Sequence, residues 1–184
     1  MRGLYFVIFA TLLLALLIAT WLYHHFRARR SAEAIWEDML DRITWIDRTA
    51  ISTIALDMVS ESGELRPEGD GFVLDRTAIW RLLGGLEGLE IIEHNCKILV
   101  ELATYVQRWY PEALVVAEQL RLNAREIEWH VSRLKGAAKT GNLESAFADY
   151  AQRAVATYYI MTRQLLALYD QASSPRLADL ERAI

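Results

Sequence analysis

The chain has 184 residues, 53% of them hydrophobic, with only nine Gly and three Pro, a composition that excludes a disordered tail or a low-complexity protein. Four of its 20 basic residues, Arg2, Arg27, Arg29 and Arg30, precede Ser31, and all 24 acidic residues follow it. Residues 31–184 therefore carry 16 basic against 24 acidic side chains, a net of −8 against −4 for the whole chain. Phosphate backbones and anionic headgroups repel such a domain, so nucleic acid is not an expected partner.

Leu4 to Tyr23 is an uncharged run of twenty residues. At ~1.5 Å per residue it has the length of a ~30 Å hydrocarbon core, with Trp21 and Tyr23 at the interface end. No small-x-small cleavage pattern follows Ile18, so the run is expected to stay as a single-pass anchor in contact with the lipid bilayer through residues 4–23. Arg27, Arg29 and Arg30 on its C-terminal flank are assigned to the membrane surface and to topology. By the positive-inside rule they place the rest of the chain in the cytoplasm. The expected division is thus an anchor with a basic flank over 1–30 and a helical-bundle domain over 31–184.

No Gly or Pro occurs between Leu4 and Glu61, which predicts a helix running unbroken from the anchor unless Ser31 caps a new one. Ile35, Met39, Ile43, Ile46, Ala50, Ile54 and Met58 mark its buried stripe. Pro67, Gly69 and Gly71 make residues 60–71 a loop, and Phe72–Leu74 is expected to pair back on Leu65. Asp75 reads as the N-cap of a short helix through Leu83, and Gly84, Gly85 and Gly88 as a close approach or hinge. A phosphate loop is excluded there because no strand precedes it and no Lys-Ser/Thr follows.

Leu89, Ile92, Cys96, Leu99, Ala103, Val106 and Tyr110 form the next seam. Pro111 ends it and opens a helix with Ala113, Val116, Leu120, Ala124, Ile127, Val131, Leu134 and Ala138 inward. Asn142 caps a last long helix through Leu143, Phe147, Tyr150, Ala154, Tyr158, Met161, Leu165 and Leu168, and Pro175 opens a short terminal one. The expected fold is all-α, one transmembrane helix followed by an antiparallel bundle of about four long helices.

An audit of ligand-bearing residues gives no catalytic, cofactor or metal site. Di-iron bundles need Glu-x-x-His, whereas here Glu90 and Glu126 stand four residues before His94 and His130. His94 falls on a polar stripe with Glu90, Lys97, Glu101 and Arg108 that reads as a solvated face. His130 falls at the core edge, and His24 and His25 offer at most one axial ligand per chain. The one cysteine, Cys96, lies on an apolar seam and behaves as a small hydrophobe. No nucleophile has a base in a recognised spacing.

Trp45 and Trp129 stand off the seams of their helices. Packing under a loop would account for them, and joint exposure would mark a protein–protein interface. The function expected is therefore a membrane-tethered, non-catalytic interaction module with a protein partner, one that leaves room for self-association. The alternative is a cofactor- or small-ligand-binding sensory bundle, centred on Glu126, His130 and Gly84–Gly88, that signals through the helix joined to the anchor.

Overall fold

The structure, a computed structural model, describes residues 14, 16–18, 20, 33–58 and 74–184. The chain divides into two compact units, residues 1–39 and 40–184. In the first, Leu14, Leu16–Ile18 and Thr20 are helical, the Thr20 hydroxyl donating back to the carbonyls of Leu16 and Leu17 at 2.9 Å. Residues 33–41 are helical, with Trp36 and Met39 buried and Ile35 exposed.

The expected transmembrane helix is corrected here. Among the described residues no helix is long and apolar enough to cross a membrane. Most of Leu4–Tyr23 lies outside the described residues, as do Arg27, Arg29 and Arg30. The single-pass anchor and the cytoplasmic placement built on its flanks are withdrawn with it.

The second unit is all-helical among its described residues: α1 (Arg48–Met58), α2 (Arg76–Leu83), α3 (Leu86–Val106), α4 (Ala113–Lys139), α5 (Leu143–Gln171) and α6 (Leu177–Ala183). Three of these are long, at 21, 27 and 29 residues, and α1 has only 11. The expected bundle of about four long helices is therefore a three-helix core with shorter helices packed on it. The expected Phe72–Leu74 pairing lies, apart from Leu74, outside the described residues.

The missing fourth helix has a specific cause. Residues 43–47 leave the helix although nothing in their own composition breaks it. Asn95 of α3, fully buried, takes the Thr44 N–H on Oδ1 at 2.9 Å and gives Nδ2 to the Thr44 carbonyl at 2.8 Å. That one amide supplies both partners a helical turn would have supplied. On either side, His94 Nε2 lies 3.0 Å from the Arg42 carbonyl oxygen, and the Arg42 guanidinium grips the Glu101 carboxylate with two bonds of 2.8 and 3.0 Å. Asp47 then restarts the chain as α1, its Oδ1 accepting from the Thr49 and Ala50 N–H groups.

Helix α5 is the axis of the unit, packing against α1, α2, α3, α4 and α6. Its residues 154–158 are buried at five successive positions, which requires neighbours on every side. Ala148, Ala151, Ala154 and Ala156 keep its girth small enough for them to approach. Tyr169 anchors its far end by donating to the Leu102 carbonyl of α3 at 3.0 Å. Asp57 ties α1 to the axis, with Oδ2 accepting from Gln152 Nε2 at 3.2 Å and the Leu74 N–H at 3.1 Å.

The turn from α2 to α3 uses its glycines sterically. Gly85 has φ +74° and lies under the Trp80 indole, where a Cβ would come within 2.8 Å of the ring. A Cβ on Gly88 would meet the Leu83 carbonyl oxygen at 1.8 Å. Close helix approach explains this cluster.

Candidate functional site

The buried imidazole of His130 is the first candidate. It projects from α4 toward α5, 4% exposed, between the Trp129 ring at 5.0 Å and the Tyr150 ring at 5.6 Å. Its Nε2 lies 3.6 Å from Glu126 Oε1, and neither ring nitrogen makes a hydrogen bond. Glu126 and His130 thus meet across one helical turn as their four-residue spacing requires. Gly84 and Gly85 form the tight turn between α2 and α3, Gly88 lies in the first turn of α3, and the cluster belongs to other contacts. Among the described residues no three His, Cys, Asp or Glu side chains converge on one point. An imidazole and one half-exposed carboxylate can exchange a proton.

The other chemically capable side chains have structural partners. His94 and Glu101 lie on an exposed face, as expected, and also hold the 42–47 connector on α3. Glu90 and Glu93 each lie 3.2 Å from Lys135 Nζ and fasten α3 to α4. Cys96 is buried, and burial pushes its thiol far above the ordinary range, which keeps it protonated and inert.

An open cleft of about 830 Å3 lies between the start of α2 and the α4–α5 corner. Trp80 and Phe147 form its floor with ring centroids 4.5 Å apart, and Arg76, Thr77, Asn142 and Glu144 line its walls. Its one guanidinium is set among carboxylates, since Asp75 lines the cleft too. That mixture selects no particular charge in a ligand.

The outer face of α4 is different in kind. Leu114, Val115, Leu122 and Trp129 are large apolar residues exposed by 54, 75, 57 and 49%. At ~100° per residue they fall within about one quadrant of the helix, opposite buried Ala113, Ala117, Leu120, Ile127, Val131 and Leu134. Helix α4 is therefore apolar on two sides, one facing α3 and α5 and one facing out. Glu118, Arg125 and Arg133 run among the outward residues. Arg133 sits over the Trp129 ring at 5.0 Å, and Trp129 meets Tyr150 of α5 edge-on at 5.7 Å, so the indole is held in place.

Of the two off-seam tryptophans, Trp129 joins this face. Trp45, 79% exposed, lies on the connector beside Thr44, and no ring contact joins the two. Leu114, Val115 and Leu122 went unmarked in the sequence because the inward period of α4 drew the pattern. A second apolar set at seven-residue spacing, Val115, Leu122 and Trp129, was the signal available. Compared with known proteins, the chain matches no family model, no curated protein and no solved structure.

Proposed function

We propose that this chain is a non-catalytic protein–protein interaction module that binds its partner through the outer face of α4. The observation that carries the reading is four large apolar side chains, Leu114, Val115, Leu122 and Trp129, exposed along one side of a single rigid helix. Scattered exposed hydrophobes are ordinary, but an aligned set around a fixed indole and flanked by arginines has the make-up of an interface. The scaffold supports it: Lys135 and the fully buried inner seam hold α4 without help from the outer face.

The test is to purify the full-length protein from its native cells with Leu122→Asp, beside Leu56→Asp as control. Leu56 is 55% exposed on α1, so both substitutions place the same charge on an equally exposed leucine. A stoichiometric companion should vanish with Leu122→Asp and persist with Leu56→Asp. Equal retention in both would refute the assignment.

A second reading, a small-ligand or cofactor bundle, draws support from one observation, the two unbonded nitrogens of buried His130. The signalling route expected with it, a continuous first helix, is interrupted at residues 43–47. Metal analysis and an absorption spectrum of natively purified protein test this reading. A blank in both removes it.

A further inference from the structure

We infer that the partner on the outer face of α4 is a second copy of this chain, packed antiparallel about a two-fold axis at Leu122. This rests on the interaction reading above and names its occupant. The argument is the order of side chains along the face. Val115 and Trp129 lie seven residues to either side of Leu122, and Leu114 lies eight before it. Glu118 lies four before it and Arg125 three after.

A two-fold axis beside Leu122 reverses this order in the second helix. Leu122 then meets Leu122. The aliphatic end, Leu114 and Val115, covers the Trp129 indole of the other copy, and the symmetric contact repeats it. Glu118 comes opposite Arg125 of the other copy, also twice. Aliphatic side chains thus meet the indole, and Glu118 meets the cation nearest its level, Arg125, each contact occurring twice.

The parallel alternative sets Glu118 on Glu118 and Arg125 on Arg125, and charge rejects it. Arg125 fits the assignment in a further respect. It is exposed and makes no ion pair or hydrogen bond among the described residues. Glu118 contacts Arg121 in its own helix through Oε1, which leaves Oε2 for a second cation.

The face spans 15 residue steps, about 22 Å of helix. Its opposite side is already committed to α3 and α5. The second copy therefore adds to the fold without rearranging it.

The experiment is sedimentation velocity on the full-length protein over roughly a hundredfold range of concentration, in four samples. These are the unsubstituted protein, Glu118→Arg, Arg125→Glu, and an equimolar mixture of the two variants. The unsubstituted protein should dimerise. Each variant alone sets like charges against each other twice and should weaken the dimer about tenfold or more. The mixture restores both opposite-charge pairs and should recover the dimer. Matching circular dichroism melts for the variants show that folding is not the cause.

Association through any other part of the chain, the apolar N-terminal run included, leaves all four samples alike and overturns the proposal. A protein that stays monomeric throughout also overturns it. In that case the co-purification with Leu122→Asp still decides the broader reading. A companion lost with Leu122→Asp keeps α4 as an interface for a different protein, and no loss removes both.

Discussion

At the scale of single residues the fold turns on Asn95. It is fully buried and polar, and it exists to satisfy the backbone of another segment at Thr44. Asn95→Ala removes both bonds to the part-exposed Thr44 backbone, each worth about 0.5–1.5 kcal/mol. The variant should lose roughly 1–3 kcal/mol in a urea unfolding titration, and hydrogen exchange at residues 43–47 should accelerate. A loss under 0.5 kcal/mol would mean that the connector is held by Arg42–Glu101 alone. Cys96 offers a gentler probe. Buried, with its thiol held protonated, it should react with an aromatic disulfide reagent only as fast as the native state opens, and promptly in denaturant.

The same residue shows why part of the architecture was legible in the sequence and part was not. The α3 seam is buried from Leu89 through Ile92, Cys96, Leu99 and Ala103 to Val106, because its apolar period and its packing agree, while Tyr110 lies past the helix end and is half-buried. The break at 43–47 was not legible, since its cause sits fifty residues away in an Asn that local pattern treats as solvent-facing. His94 and Glu101 are exposed, as their polar stripe predicts, but local pattern could not show that they also bond to the 42–47 connector. The twenty-residue run Leu4–Tyr23 satisfied a criterion of composition, which does not establish a helix of spanning length.

At the scale of elements, α4 shows how an inward period shifts under tertiary packing. Val116 and Ala124, expected in the core, are only half-buried and Ala138 is exposed, while Ala117, Asn123 and His130 are buried. The buried arc widens at both edges, to Ala117 on one side and to Asn123 and His130 on the other. Leu122 stays outside it and faces out. Two glycines make a paired test of helix ends. Gly88→Ala forces a Cβ against the Leu83 carbonyl and should destabilise by more than about 2 kcal/mol. Gly136→Ala meets nothing within 4 Å near the end of α4 and should stabilise by about 0.5–1 kcal/mol. Thermal unfolding of both variants checks the contrast, and a neutral Gly88→Ala would show that the α2–α3 turn can give way.

At the scale of the whole molecule, stability should fall in alkali. Burial pushes Tyr158 up to about 12 and raises Tyr169 further. Both are acids whose folded values exceed the unfolded value near 10. The unfolded chain therefore releases protons first, and the stabilising effect of keeping them neutral is complete below pH ~10 and lost as pH rises toward 12. Denaturation midpoints measured from pH 8 to 12 should drop, with a shallower slope in Tyr158→Phe. An unchanged slope in that variant would show that Tyr158 does not carry the effect.

The proposed interaction surface also belongs to this scale, because it needs the whole bundle behind it. Inner seam, central α5 and Lys135 clamp fix α4, so that a partner on its outer face would meet residues already ordered. The most direct test of that claim is site-specific photocrosslinking in native cells. A photoreactive amino acid replaces Leu122 in one sample and Leu56 in another, two leucines of nearly equal exposure at 57 and 55%. A discrete covalent adduct from position 122 and none from position 56 is the predicted result. Adducts from both, or from position 56 alone, would contradict an interface on α4.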